Sequence, residues 1–163
     1  SGKILFMSTT ISMSSCGVSH GRLPPRAMHG CLLAPIVAPM VSGGVETILG
    51  VQIDPVFGPA VMFGLGGVFV EVFKDVSFRL APFDKNEALR MIEETKGAKL
   101  LKGVRGKPAA DVDALADALV NLSTFAAANA DNLSSVDLNP FVVLEKGKGA
   151  VALDALVVPK AAD

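Results

Sequence analysis

Three oxygen-bearing side chains near the carboxyl end of the sequence have the types and spacing of a magnesium site. Asp137 and Asn139 lie in an Asp-Leu-Asn-Pro motif at 137–140, and Asp154 interrupts a strongly apolar segment that follows. Hard cations such as Mg²⁺ prefer oxygen ligands of this kind and usually keep contacts with water and phosphate as well. The three residues therefore predict a site for a metal-bound nucleotide if the fold brings them together.

A hairpin would bring these side chains to one end of a sheet. Two apolar segments flank a turn-like stretch at 145–149 that is rich in glycine and lysine. Residues two positions apart on a strand point to the same side, so Asp137 and Asn139 share one face while Leu138 points into the core. The bend then places Asp154 opposite or diagonal to Asn139. The alternative is a capped turn at Asp137 and a solvated Asp154, but a lone carboxylate among apolar neighbours favours a partner.

Length and composition describe one globular domain with a balanced charge. The chain has 163 residues, 50% of them hydrophobic, and its 15 basic residues nearly balance 16 acidic ones. This balance gives no sign of a surface for nucleic acid or an anionic membrane, so neither is an expected partner. Cys16 and Cys31 have no metal-ligand spacing and are expected to be reduced thiols of a cytoplasmic protein. The longest strongly apolar stretch is too short to span a bilayer.

The elements that must position the site follow in the order strands, helices, strands. Apolar runs broken by glycine predict a β-meander first. Asp84, with Glu87 three residues later, predicts a capping box, and Asp111 begins a second segment with helical spacing. This order predicts an α+β fold in which helices cover one face of a mostly antiparallel sheet. The strands are expected at 31–40, 46–53, 60–63, 68–80, 136–144 and 150–158.

The chain divides into one domain with two short flanks. Residues 31–158 carry every predicted element, whereas 1–30 are serine-rich and show no sustained period. We expect 1–30 to be an N-terminal arm or an incomplete element and 159–163 to be a C-terminal tail. His20 and His29 have no neighbouring nucleophile or carboxylate arrangement that identifies a catalytic triad.

Three other groups have the chemistry to contact a phosphate. Glycines within 64–67 would let backbone N–H groups approach it, although a plain hairpin turn is the commoner explanation. Lys74, Asp75 and Arg79 lie on one predicted strand, and Asp75 and Arg79 share a face. A surface ion pair is the usual explanation for such charges. Arg105, in a glycine-flanked loop, could likewise reach an anion, although a solvated charge on a loop is the usual explanation.

Seven motifs follow one another in a fixed order along the chain. They are Met-Val-Ser-Gly-Gly-Val-Glu at 40–46, Asp-Pro-Val-Phe-Gly-Pro at 54–59, Phe-Gly-Leu-Gly-Gly-Val-Phe-Val-Glu at 63–71, Lys-Asp-Val at 74–76, Arg-Leu-Ala-Pro at 79–82, Gly-Val-Arg-Gly at 103–106 and Asp-Leu-Asn-Pro at 137–140. Together they resemble the ATP-grasp domain of NDP-forming acyl-CoA synthetases. That family includes ADP-forming acetate-CoA ligase and is related to the β subunit of succinyl-CoA synthetase. The resemblance runs from about residue 30 to residue 158.

The resemblance implies an acid-CoA ligase (ADP-forming), which interconverts acyl-CoA, ADP and phosphate with acid, CoA and ATP through a phosphohistidine. The ATP-grasp domain of such enzymes holds ATP or ADP between two subdomains, and this chain resembles the C-terminal one. Asn139 and Asp154 match the Mg²⁺ ligands of the family, with Asp137 beside them. The metal and cations would offset charge on a transferring phosphoryl group.

The resemblance also implies positions that contact the nucleotide away from the metal. The segment 34–40 corresponds to the hinge strand whose backbone faces the adenine, and four charged residues match recurrent positions of the family. The cofactor-binding candidates are Pro39, Met40, Glu46, Lys74, Asp75 and Arg79.

The sequence departs from the family upstream of the resemblance. Residues 1–30 do not resemble the first ATP-grasp subdomain, and neither His20 nor His29 sits in a phosphohistidine motif. We therefore expect the C-terminal portion of a larger enzyme, incomplete for catalysis alone. Its expected partners are the CoA-binding ligase domain or subunit and a second copy, bound through the sheet face that the missing subdomain would leave exposed.

Two other interpretations remain open. One is a non-catalytic regulatory or interaction module derived from such a synthetase, as in protein lysine acetyltransferases. The other is a β-rich domain that binds no nucleotide and uses its glycines only in turns.

Overall fold

The computed structural model describes residues 5–6, 40–66, 75–103 and 108–161. Within these ranges there are seven strands and three helices. The strands are β1 (Leu5–Phe6), β2 (Val45–Asp54), β3 (Gly58–Leu65), β4 (Val76–Leu80), β5 (Leu133–Val143), β6 (Ala150–Ala152) and β7 (Ala155–Pro159). The helices are α1 (Lys85–Glu93), α2 (Ala98–Leu101) and α3 (Val112–Ala128). The predicted strand at 31–40 and the first half of the one at 68–80 lie outside the described residues, except that Met40 is described and is not in a strand.

All seven strands form one sheet. The order is β1-β6-β5-β2-β3-β4, and β7 pairs with β5 next to β6. The pairs are antiparallel except for β1 with β6. The prediction of a mostly antiparallel sheet is therefore confirmed.

The central strand β2 shows the period of two that a sheet with one covered face requires. Leu49 and Val51 are buried, whereas Glu46 and Gln52 are exposed. Its register against β5 shifts between Thr47 and Leu49, so that two residues of β5 oppose one of β2. One of these two is a proline, which has no N–H to donate to the ladder and so fits an irregularity of this kind.

The helices cover one face of the sheet and bury its core side chains. The core combines residues from the strands and from the inner faces of α1 and α3. It includes Leu49, Phe63, Met91, Leu115, Leu119 and Phe141, all with side chains almost fully buried. The other face of the sheet leaves apolar side chains such as Phe78, Leu80 and Leu156 exposed. No helix of the described ranges is long and apolar enough to cross a membrane.

Both predicted helix starts are confirmed. The Asp84 carboxylate accepts from the Glu87 N–H at 2.9 Å, and the Asp111 carboxylate accepts from the Ala114 N–H at 3.2 Å. Such caps satisfy backbone donors that have no partner inside the helix. The second half of the predicted capping box is wrong, because the Glu87 carboxylate binds Arg79 instead of returning to the cap.

Two predicted interruptions of the sheet differ in the structure. Gly64 and Leu65, expected to break the sheet, lie inside β3, where Gly64 pairs with both Ile48 and Val76. The following Gly66 N–H donates to the Glu46 carbonyl at 2.8 Å. These backbone groups already have partners in the sheet, so the glycine-phosphate hypothesis is wrong for Gly64 and Gly66. The strand predicted at 150–158 is instead divided into β6 and β7.

Replacing Leu119 by Ala tests the position of the core. Leu119 is completely buried on α3, so Leu119→Ala should lower the free energy of unfolding by about 2–5 kcal/mol through lost burial and a residual cavity. The matched change Leu156→Ala removes the same atoms from a side chain that is 61% exposed and should cost about 1 kcal/mol or less. Urea unfolding measures both, and equal losses would contradict this assignment of the core.

Candidate metal site

Strand β5 presents two of the predicted ligands on the uncovered face of the sheet. Asp137 and Asn139 are both exposed, whereas Leu138 between them is buried against the core. Alternation along the strand therefore places the carboxylate and the amide on one side, as the spacing predicts.

Asp154 lies opposite Asn139, at the break between β6 and β7. Both of these short strands pair with β5 and are antiparallel to it. The register is the same on the two sides of the break, over residues 135–143 of β5. The Leu153 N–H donates to the Pro140 carbonyl at 3.0 Å and holds the interrupted segment against β5. The predicted position of Asp154 across from Asn139 is therefore confirmed.

The negative charge of Asp154 acts on Asp137. The pKa of Asp137 is raised, first by partial burial and second by the negative charge of Asp154. No lysine or arginine of the described residues forms a salt bridge with either carboxylate. With no basic salt-bridge partner among the described residues, these two carboxylates favour a cation, which would relieve their repulsion.

The donor set fits a magnesium ion that keeps several water or phosphate ligands. In the described part of the chain, no cluster of three or more histidine, cysteine or acidic residues has metal-binding geometry. Protein ligands here would be carboxylate oxygens of Asp137 or Asp154 and the amide oxygen of Asn139. One or two carboxylates with substrate phosphates are usual for Mg²⁺, whereas an all-protein cage suits Ca²⁺ or Zn²⁺ better.

A cavity of about 550 Å³ opens near Glu46, at the end of β2 away from the β2–β3 turn. Its size is within the usual range for small-molecule pockets. The metal candidates do not line it. The lining includes Gly43, Gly44, Glu46, Leu65, Leu100, Pro108 and Leu144. The sequence did not predict this cavity because separate elements, far apart in the chain, supply its walls.

Gly44 shapes the entrance to β2. Its φ is +87°, and an added Cβ would lie 2.7 Å from Cγ1 of Val142 and 2.8 Å from the carbonyl oxygen of Val143. Only glycine satisfies both the positive φ and the close approach of β5. Packing thus explains the second glycine of the first motif, whereas at Gly43 only the positive φ of +80° favours glycine.

Asp75 has a structural role. It is buried, and its two carboxylate oxygens accept from the N–H groups of Lys96 at 2.9 Å and Gly97 at 2.7 Å. These bonds connect the start of β4 to the segment between α1 and α2. The sequence could not reveal them, because a backbone donor more than twenty residues away leaves no side-chain signature.

Arg79 also binds protein groups. Its Nε donates to Oε1 of Glu87 at 2.6 Å, and its Nη2 donates to Glu94. Hydrogen bonds from the guanidinium to Glu94 and Glu87 raise the pKa of Arg79. Arg79 therefore forms ion pairs, the usual explanation for such charges, but its partners are Glu87 and Glu94 and not residues of a neighbouring strand. These pairs tie β4 to α1 and the residue that follows it.

The remaining candidates fall partly within the described residues. Glu46 and Met40 are exposed at the start of β2 and just before it. Pro39, Lys74 and Arg105, with both cysteines and both histidines, lie outside the described residues.

The mostly antiparallel sheet with one covered face agrees with the fold of an ATP-grasp domain. A family model described as ATP-grasp domain matches residues 20–158. The chain belongs to this family.

The curated relatives that the chain matches include ADP-forming acetate-CoA ligases. Subunit beta of ADP-forming acetate-CoA ligase II from Pyrococcus furiosus is 46% identical over 125 residues, covering 77% of this chain and 53% of that subunit. ADP-forming acetate-CoA ligase I from Archaeoglobus fulgidus is 47% identical over 131 residues, covering 80% of this chain and 18% of that protein. These matches confirm the resemblance and align the chain with the ATP-grasp region of such synthetases.

A solved structure shows the same fold. Dinucleotide forming acetyl-coenzyme A synthetase 1 of Ca. Korarchaeum cryptofilum, in complex with coenzyme A and Mg-AMPPCP, has a TM-score of 0.69 and 45% sequence identity. The match covers 74% of this chain and 55% of that one. The chain thus spans about half the length of the β subunit and of this structure.

Asp154→Asn tests the coupling of the two carboxylates. Removing the charge of Asp154 should lower the pKa of Asp137, while the contribution of burial remains. A carboxyl group whose pKa is raised on folding makes the folded state less stable as pH rises through that pKa, because the group must ionise in an unfavourable environment. The variant lowers the pKa of Asp137 and removes part of this cost. Its free energy of unfolding at neutral pH should therefore exceed that of wild type. Carboxyl carbon chemical shifts followed by NMR titration measure the pKa. The control Asp54→Asn, at the β2–β3 turn, should leave it unchanged, and an unchanged pKa in Asp154→Asn would contradict the coupling.

Proposed function

We propose that this chain supplies the nucleotide- and Mg²⁺-binding half-site of an ADP-forming acyl-CoA synthetase. The observation that carries the proposal is the register of β5 with β6 and β7, which sets Asp154 across from Asn139 on an open face. Membership of the ATP-grasp family and the matches to ADP-forming synthetases support it.

The ligands would act by holding a cation where phosphate oxygens can complete its coordination. Asn139 and Asp154 supply oxygens from two segments that are fixed by backbone pairing, so little ordering remains to be done on binding. Burial and the charge of Asp154 raise the pKa of Asp137, and a bound cation would favour its ionised form. Mg²⁺ bound here would offset negative charge on the transferring phosphoryl group.

The rest of the nucleotide would extend along β2 towards the cavity beside Glu46. Gly50 pairs with Asp137, and Glu46 lies four residues before it, a span of about 13 Å along a strand. Gly50 has no side chain to obstruct that path across the face. Met40 and Pro39 are the proposed contacts at the base end, as the family resemblance implies, and Glu46 is a further candidate contact with the nucleotide.

The whole reaction would need more than this chain. The synthetases that it matches contain about as much chain again, or more. One solved relative is described with its phosphohistidine segment pointing towards the nucleotide binding site. We propose that a CoA-binding ligase domain or subunit carries that segment here too, and that the isolated chain binds nucleotide weakly and does not turn over. The relatives are synthetases, so the regulatory-module alternative is not favoured.

Replacing both ligands tests the proposed site. Wild type should bind Mg·ADP in calorimetric titration, and the Asn139→Ala, Asp154→Ala double variant should bind at least about tenfold more weakly because the metal loses two protein oxygens. The matched control Asp131→Ala, Asn132→Ala removes one carboxylate and one amide from exposed residues before β5 and should bind within twofold of wild type. Absence of binding in wild type and double variant alike would favour the β-rich domain that binds no nucleotide.

Two further measurements test incompleteness. The purified chain should show no acyl-CoA synthetase turnover with acetate, CoA and Mg·ATP, and robust turnover would contradict the proposal.

The apolar side chains on its uncovered face should favour self-association. A clean monomer in light scattering would contradict that expectation.

A further inference from the structure

Asp111 makes contacts beyond the helix cap that the sequence predicts. Its side chain is buried, with 9% of the residue exposed. One carboxylate oxygen, Oδ1, accepts from the Ala114 N–H and caps α3. The other oxygen, Oδ2, is directed away from the helix, towards the turn that joins β5 to β6.

Oδ2 accepts two hydrogen bonds from that turn. The Gly147 N–H donates at 2.9 Å and the Gly149 N–H at 3.0 Å. Both glycines have positive φ, +83° and +84°, a conformation that residues with a Cβ rarely adopt. The turn is therefore built so that two of its N–H groups converge on one buried carboxylate.

Backbone bonds hold the same turn against the segment before α3. The Asp111 N–H donates to the Leu144 carbonyl at 2.8 Å, and the Lys146 N–H donates to the Ala109 carbonyl at 2.9 Å. The Asp111 side chain adds the bonds that reach the far side of the turn, where β6 begins.

The charge of Asp111 strengthens these bonds. Burial by itself would raise its pKa, but hydrogen bonds from Gly149, Ala114 and Gly147 and the positive charge of Lys146 together lower it. The carboxylate is thus ionised at neutral pH, and hydrogen bonds to a charged acceptor are stronger than neutral ones.

The turn sets the register on which the metal site depends. β6 pairs with β5 from the first residue after the turn, and the same register continues across the break to β7. A shift of one residue in a strand moves its side chains to the opposite face. A turn that changed its length or shape would therefore move Asp154 away from Asn139.

We propose that Asp111 is a positioning residue for the metal site. Hydrogen bonds to its carboxylate hold the β5–β6 turn against the start of α3, so that Asp154 faces Asn139. This inference rests on the proposed function, since the same ligands are concerned. It assigns a role in metal binding to a residue that would not itself contact the metal.

Asp111→Asn separates the bonds to the turn from the cap of α3. An asparagine remains a good helix cap, because one oxygen can still accept from Ala114. While that oxygen is bound to the Ala114 N–H, the other end of the amide is an NH₂ group, which cannot accept from the Gly147 and Gly149 N–H groups. The matched control is Asp84→Asn, the same change at the cap of α1, where the described contact is with Glu87 alone.

Two measurements on the full chain test whether the bonds from the turn to Asp111 position the metal site. Mn²⁺ titration, followed by the EPR signal of the free ion, should show about tenfold weaker binding in Asp111→Asn and binding within twofold of wild type in Asp84→Asn. Amide hydrogen exchange by NMR should be slow at Gly147 and Gly149 in wild type and in Asp84→Asn, and fast in Asp111→Asn. A merely structural loss of helix stability would not single out these two amides.

The outcomes distinguish this inference from the proposed function. If wild type does not bind Mn²⁺, or if Asn139→Ala does not weaken the binding, the proposed function fails and the inference fails with it. If wild type binds Mn²⁺ and a folded Asp111→Asn binds it equally well, or keeps both glycine amides protected, only the inference fails. Should Asp111→Asn not fold, Asp111→Ser keeps a capping hydroxyl too short to reach the turn, and the same two measurements decide.

Discussion

The antiparallel pairing of β5, with β2 on one side and β6 and β7 on the other, is the constraint on which both core and site depend. Because side chains alternate along a strand, one register buries Leu138 beneath the helices and presents Asp137 and Asn139 on the open face. The same register brings Asp154 to Asn139 across the gap between two short strands. Burial of the core therefore also fixes the backbone positions of the proposed ligands.

The sheet is covered by helices on one face only. The helices bury the inner side chains, while the outer face keeps acidic and amide groups next to exposed apolar ones such as Phe78 and Leu156. Large exposed apolar patches commonly mark surfaces that a partner covers. The matched β subunit and solved synthetase are about twice as long, which agrees with a half-site whose second wall comes from elsewhere.

Charged residues that looked similar in the sequence serve different purposes in the fold. Asp75 and Arg79 were candidates for contact with phosphate, yet Asp75 binds two backbone N–H groups and Arg79 joins β4 to α1. Asp137 and Asp154 have no such basic partners among the described residues, and they repel one another. A buried carboxylate that accepts backbone hydrogen bonds stabilises the fold, whereas a pair of facing carboxylates becomes favourable when a cation joins them.

Periodicity and local chemistry in the sequence alone were enough for the class of fold, both helix starts, the shared face of Asp137 and Asn139, and the family. These features depend on neighbours along the chain: alternation, the spacing of a cap, and motifs kept in order. Tertiary structure decided the partners of Asp75, the second contact of Asp111 and the cavity beside Glu46. Each of these joins groups that are distant in sequence, often through backbone N–H and carbonyl groups that every residue carries. Such contacts leave no pattern in residue types, so only the folded chain reveals them.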